Sequence, residues 1–246
     1  MTTTTNVLQV LQMLKQGSYR VGAADVMKQL QVSRATAYRY LRELESAGLI
    51  EGASAGEYVL GPTVIELDRL IRKNDPLIAA ATDIAKTLSE RTGGTVLLCR
   101  LHGHKVVCVH QVRGSKGPPK VSYERGLAMP LFRGATSRII LAHMEPARVQ
   151  AIVAEHQDEL LGAKLPTAPD ALARRLAQVR ADKVCFTRGE VDRDALGCAA
   201  AIQHSGLLGS LSVVLARSAA PSDPERLADQ VLRAALRIEG RLQAAY

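Results

Sequence analysis

SRATAYRYLRELESAGLI, residues 33–50, decides how this chain is read. Ser33 is a good N-cap, because its hydroxyl can accept a backbone N–H that the first helical turn leaves free. It opens a helix over residues 34–47 that Gly48 ends. At 100° per residue, Ala37, Leu41 and Leu44 share one face and belong to a core. Ala35, Arg39 and Arg42 fall opposite, with Thr36 and Tyr38 on the flanks. Short side chains at the helix start (Ser33, Ala35, Thr36) let the backbone enter a groove, and Arg39 has the reach for a guanine edge or a phosphate. The free N–H groups of the first turn suit a phosphate as well.

Working outward, residues 23–30 give a shorter helix with Ala24, Val26 or Met27, and Leu30 turned inward. Gln31-Val32-Ser33 forms a three-residue turn between the two helices. From Lys28 to Arg42 every charge is positive (Lys28, Arg34, Arg39, Arg42), and acids resume only at Glu43 and Glu45. After Gly48, EGASAGEYVL at residues 51–60 places Gly52 and Gly56 around a turn and makes a two-stranded wing. The pattern is a winged helix-turn-helix, with Ser33, Arg34, Ala35, Thr36, Tyr38, Arg39 and Arg42 as the DNA-contacting set. Bulk charge adds little, since residues 1–74 carry 9 basic and 7 acidic residues, a net of +2.

The rest of the 246 residues sets limits. With 32 basic against 24 acidic residues, 47% hydrophobic and 23% charged, the composition is that of a folded chain. The net +8 is compatible with a polyanionic partner without identifying one. Absence of Trp and 3% aromatic content argue against a base-stacking, single-strand surface. No apolar run approaches the roughly 18 residues of a membrane span, and MTTTTNVLQV has no basic leader. Four cysteines are too few for a disulfide scaffold, so a cytoplasmic setting and no membrane partner are expected.

We divide the chain into a winged helix-turn-helix at 1–61, a linker helix at 62–75 and an α/β domain at 76–246, an α+β protein overall. The linker carries Val64, Leu67 and Ile71 at i, i+3, i+7 and closes at Asn74-Asp75-Pro76. In the last segment, helices are expected at 77–91, 135–144, 147–157 and 170–181. Strands are expected at 95–112 (a hairpin around Gly103), near 120–123, at 198–204 and at 208–215. A closing helix is capped by Asp223 and Pro224, with Leu227, Val231, Ile238 and Leu242 as its apolar stripe.

Cys99, His102, His104, Cys108 and His110 crowd the hairpin, and Cys and His are zinc ligands. Its register is open: a turn on Gly103-His104 would set Cys99 opposite Cys108, whereas one on His102-Gly103 would not. Turn histidines are usually solvated and strand cysteines usually buried, so no metal and no cofactor are expected. Phosphate-binding loops, nucleophile elbows and zinc-protease motifs are absent, and the chain reads as a non-enzyme. A thiol- or metal-dependent enzyme or sensor using this hairpin is the alternative. Separately, Arg133-Gly134-Ala135-Thr136 precedes a helix, whose free N–H groups and dipole favour an anion such as a carboxylate.

The chain resembles the IclR family of bacterial transcriptional regulators. The resemblance is carried by residues 33–50, the wing followed by YVLGPTVIEL, ERGLAMPLFRGATSRIILA at 124–142, the strand LLGSLSVVLA and the length of the second segment. It implies a GAF-like effector-binding domain taking a small metabolite, often an organic or aromatic acid, and a homodimer or dimer of dimers on a pseudo-palindromic double-stranded operator. Carried across, the effector pocket comprises Leu127, Met129, Gly134, Ala135, Glu190 or Asp192, Cys198 and Ser212. The chain departs from the family at Ser137-Arg138, where small residues are usual, in a shortened acidic stretch at Glu190-Val191-Asp192, and at Val214 in place of a second serine.

Overall fold

The computed structural model describes residues 3–15, 19–117 and 121–244, and the chain divides into two compact units, Met1–Asp75 and Pro76–Tyr246. The first unit runs α1 (Thr3–Lys15), β1 (Val21–Gly22), α2 (Ala23–Leu30), α3 (Arg34–Ser46), β2 (Ile50–Gly52), β3 (Glu57–Leu60) and α4 (Pro62–Asn74). Its core gathers Val10, Val26, Ala37, Leu41 and Ile50. Ser33 caps α3 as expected, accepting the Thr36 N–H at 3.3 Å. Tyr40, passed over in the sequence, belongs to the same inward stripe as Ala37, Leu41 and Leu44 and is buried with them. On α2 the inward stripe is Ala23 and Val26, with Met27 and Leu30 half-buried. Ala24 sits 100° round from Ala23 and is exposed, which corrects its expected inward placement.

The wing gains a strand that the sequence did not reveal. β1 pairs with β3 on the side away from β2, giving the antiparallel order β1-β3-β2. Arg20, just before β1, reaches Glu57 and Ser54 of the wing, each at 3.1 Å. α4 ends at Asn74, one residue short of the expected 62–75, with proline in its first turn. None of its residues is buried: Leu67, Leu70 and Ile71, on one face at i, i+3 and i+4, are each about half exposed.

The second unit runs α5 (Pro76–Thr92), β4 (Thr95–His102), β5 (Lys105–Val112), β6 (Ala128–Pro130), α6 (Gly134–Ala142), α7 (Pro146–Glu155), α8 (Gln157–Gly162), α9 (Pro169–Asp182), β7 (Val184–Arg188), β8 (Ala195–His204), β9 (Leu207–Ala216) and α10 (Pro224–Ala244). Among the described residues its sheet is antiparallel in the order β6-β5-β4-β9-β8-β7. Side chains alternate across a strand, so each strand feeds two cores. Leu98, Ile202 and Val213 pack with Val231 and Ile238 of α10 and with α5 on one face. Leu97, Cys99 and Ala199 pack with Ile139 of α6, Val153 of α7 and Leu176 of α9 on the other. Midway along β8, Gly197-Cys198-Ala199-Ala200-Ala201 keeps the backbone close to both helix layers.

Asp223 caps α10, accepting the Arg226 N–H at 2.9 Å, and all four residues of the expected stripe are buried. The hairpin turns on Gly103-His104, with His102 opposite Lys105 and Cys99 opposite Cys108. The strand expected near 120–123 is absent at Val121–Tyr123, and residue 120 lies outside the described residues. The edge of β5 pairs instead with β6, while Tyr123 turns inward. β7, only five residues long, has too short a pattern to be read ahead of the structure.

Candidate nucleic-acid interface and effector cavity

In the first unit, α3 presents one solvent face. Ser33, Arg34, Ala35, Arg39 and Arg42 are exposed, Thr36 and Tyr38 half-buried, so the expected set lies together on that surface. The Arg34 guanidinium lies over the Tyr38 ring at 5.6 Å and that of Arg39 over Tyr40 at 5.5 Å, which orients both without neutralising them. Arg39 is also 3.9 Å from Glu43, a loose surface pair contributing little and easily exchanged for a phosphate or base. A basic, short-residue helix face braced by a wing can enter a major groove.

In the second unit, α6 begins at Gly134 with φ +80°, in the left-handed region that favours glycine. A β-carbon at this position would come within 2.8 Å of Val191 Cγ2, so Val191 would have to give way to any side chain here. The N–H groups expected to be open to an anion are already engaged. Gly134 N–H donates to Glu190 Oε2 at 3.2 Å, and Ala135 N–H to Thr187 Oγ1 at 3.0 Å. Thr136 Oγ1 donates to Ser212 Oγ at 2.9 Å, which brings Ser212 to the same helix start. Glu190 is the acid at Gly134, because Asp192 is taken by Ser122, whose N–H donates to it at 2.9 Å.

Arg138, one helical turn on, donates both terminal nitrogens to Glu190 at 2.9 and 2.7 Å. Tyr123, whose hydroxyl burial pushes well above its usual pKa, donates to the Arg133 carbonyl at 3.0 Å and lies 2.7 Å from Ser137 Oγ. The space left is a cavity of about 30 Å³ lined by Tyr123, Gly134, Ala135, Thr187, Glu190 and Val191 among others.

Of the expected pocket set, Gly134, Ala135 and both acids, Glu190 and Asp192, line this cavity, and Ser212 joins through Thr136. Met129 packs on the same core, whereas Leu127 is 47% exposed, and neither lines the cavity. Cys198 is a correction: it points from β8 into the opposite core, against α5 and α10, because it differs by one position from Gly197, which faces Ala135. Nearby, a second cavity of about 480 Å³ is lined by His104, Lys105, Phe132, Arg133, His156 and Glu159, with the His104 and His156 rings stacked at 5.4 Å. Sequence reading missed it, because those residues come from the β4–β5 turn, the start of β5, the loop before α6, the α7–α8 junction and α8, which no spacing connects.

The Cys/His hairpin gathers less than its composition suggests. Cys99 and Cys108 are fully buried, and burial beside Cys108 pushes the Cys99 thiol up, away from a thiolate. His102 and His104 are exposed. Among the described residues no three His, Cys, Asp or Glu side chains come together as a metal site. No described helix is long and apolar enough to cross a membrane.

The family model for the bacterial transcriptional regulator IclR C-terminal matches residues 71–239, and one for an HTH domain matches residues 6–56. The chain is 25% identical over 175 residues to the HTH-type transcriptional regulator XynR of Escherichia coli K12, covering 70% of this chain and 69% of that one. A crystal structure of an IclR transcriptional regulator from Silicibacter sp. superposes with a TM-score of 0.81 at 26% identity, covering 98% and 96% of the two chains. An IclR homologue from Microbacterium hydrocarbonoxydans, crystallised with 4-hydroxybenzoate, shares the fold at a TM-score of 0.77 and 21% identity, over 99% and 100% of the chains.

Proposed function

This chain belongs to the IclR family of bacterial transcriptional regulators, and from that membership we propose a ligand-responsive regulator that reads a pseudo-palindromic operator as a homodimer or dimer of dimers. It is a transcription regulator with a helix-turn-helix unit and an IclR-type effector-binding unit. The observation that carries the finer reading is the exposed face of α3. Arg34, Arg39 and Arg42 stand there around the short residues Ser33 and Ala35, with no acid among them before Glu43. Two such faces one helical turn of DNA apart would read the two half-sites.

Association of two copies is supported by the half-exposed Leu67, Leu70 and Ile71 on α4, an apolar stripe that packs on no core. The effector class, a small organic or aromatic acid, is supported by the helix start at Gly134 and by the homologue crystallised with 4-hydroxybenzoate. Ligand and operator are coupled to the extent that the ligand favours one arrangement of the two copies.

The test is selection from a random duplex pool at near-physiological salt, with the full chain. Enrichment of an inverted repeat, lost on adding an organic acid, is the expected result. Retention without enrichment, collapsing as salt rises, would mean phosphate attraction alone and would overturn the operator reading.

A further inference from the structure

The carboxylate at the start of α6 is supplied by the protein itself. Glu190 Oε2 accepts the Gly134 N–H at 3.2 Å, and the same group is held end-on by the two terminal nitrogens of Arg138. The two partners are unequally fixed. The Arg138 side chain is 6% exposed and rooted in α6, whereas that of Glu190 is 29% exposed and sits on the turn between β7 and β8. Arg138 is thus the more deeply held partner and Glu190 the one with access to solvent.

Arg138 also holds a donor in reserve. Its Nε–H is buried and has no partner among the described residues, a cost that folded proteins rarely carry without a use. A carboxylate arriving side-on would take that Nε–H together with one terminal nitrogen, the two-point geometry guanidinium groups favour. Room is what is missing: the cavity of about 30 Å³ beside Gly134 holds a water and no organic acid while Glu190 and Val191 stay in place.

We propose that Glu190 is a tethered competitor for the carboxylate of the effector. An incoming acid takes the Gly134 N–H and Arg138, Glu190 leaves to solvent, and the Glu190-Val191 turn moves out with it to open the cavity. The inference rests on the effector reading above and deepens it, naming the ligand as a carboxylate and the displaced group as the element that senses it. A neutral isostere lacks the charge to replace Glu190 on Arg138 and does not enter. If Glu190 holds the site more than nine-tenths of the time, its removal strengthens carboxylate binding by at least about tenfold, since apparent affinity scales with the open fraction.

The probe is propionate, which reproduces the end of a glutamate side chain, with propionamide as its neutral twin. Both are titrated into the full-length wild type, Glu190→Ala and Glu190→Gln while the Gly134 amide resonance is followed. The expected result is propionate binding at least about tenfold tighter to the variants than to wild type, with propionamide unaffected by either substitution. Glu190→Gln keeps the shape and the acceptor for Gly134, so it carries the test should the alanine variant fold poorly. Equal propionate affinity in wild type and Glu190→Gln, or equal gains for propionamide, would overturn the displacement. Operator retention separates the two ideas. Tighter propionate binding by the variants, with no organic acid releasing operator from wild type, sustains the displacement and sinks the effector reading. An acid that releases operator and binds wild type and variants alike does the reverse.

Discussion

Replacing Gly134 by alanine should destabilise the second unit by an amount that two controls can divide. Gly134 and Gly206 share a positive φ, +80° and +81°. Their surroundings differ: a β-carbon at 206 meets nothing within 4 Å, whereas one at 134 lies 2.8 Å from Val191 Cγ2. Gly206→Ala therefore isolates the conformational cost of a left-handed L-residue, about 1–2 kcal/mol. Gly134→Ala adds an overpacking cost of about 1–3 kcal/mol. At roughly 2–4 °C per kcal/mol for a domain of this size, the melting transition should fall by roughly 2–8 °C in the first case and roughly 4–20 °C in the second. Scanning calorimetry on the full chain reads both. The decisive measurement is the double variant Gly134→Ala with Val191→Ala, which should recover most of the extra loss as a favourable coupling of about 1–3 kcal/mol. A Gly134→Ala variant no worse than Gly206→Ala, or no coupling with Val191, would refute the argument that this glycine is held by a neighbour as well as by its φ.

Other expectations are simpler. Arg39→Ala should weaken binding to a selected operator by about 1–3 kcal/mol and relax preference at one base position, read by fluorescence anisotropy; unchanged affinity and preference would remove Arg39 from the reading set. Ser33→Ala should cost the first unit about 1 kcal/mol through the lost cap on Thr36, and a urea midpoint unmoved by this substitution would contradict the hydrogen bond seen there. Asp83, paired with Arg241 of α10, has its carboxyl held down to about 2 by that guanidinium. Because the folded value lies below the unfolded one of about 3.9, the pair stabilises fully above about pH 4 and loses its contribution as pH falls toward 2. The gap in melting temperature between wild type and Asp83→Asn should accordingly close over that window, and a gap independent of pH would count against the pairing.

The sequence was most legible where one helix had two chemically distinct faces. Ser33, Ala37, Leu41 and Leu44 fixed the rotation of α3, and with it the exposure of Arg39 and Arg42. α4 and the stripe of α10 were legible for the same reason. Residues whose environment is set by distant chain were not. Tyr40 shares the stripe of Ala37 and Leu44 yet was overlooked, because a tyrosine beside two arginines passes for a surface residue. Whether Glu190 or Asp192 stood at Gly134 depended on Ser122, some seventy residues away, taking the other acid. Nor could spacing alone reveal that the helix start at Gly134 is already filled, since Glu190 and Thr187 lie over fifty residues downstream. Cys198 was assigned by resemblance, and its place on a strand, where one position changes the face, put it in the other core.

The middle of β8 has a mechanical consequence. From Gly197 to Ala201 the strand carries one glycine, three alanines and a cysteine, so Cys198 supplies the segment's single rotatable χ1. Elsewhere in a protein interior, a helix nudged by a fraction of an ångström is accommodated by neighbouring side chains changing rotamer. Here α6 leans on one side of the strand and α10 on the other, and the strand itself offers almost no rotamers to absorb the push. A shift of α6 is left to the facing side chains of the two helices, or passes through the strand to α10 as displacement. The segment behaves as a stiff shim between two helices, and enlarging Ala199 or Ala200 would alter its thickness while adding a second χ1 to a segment that now has one.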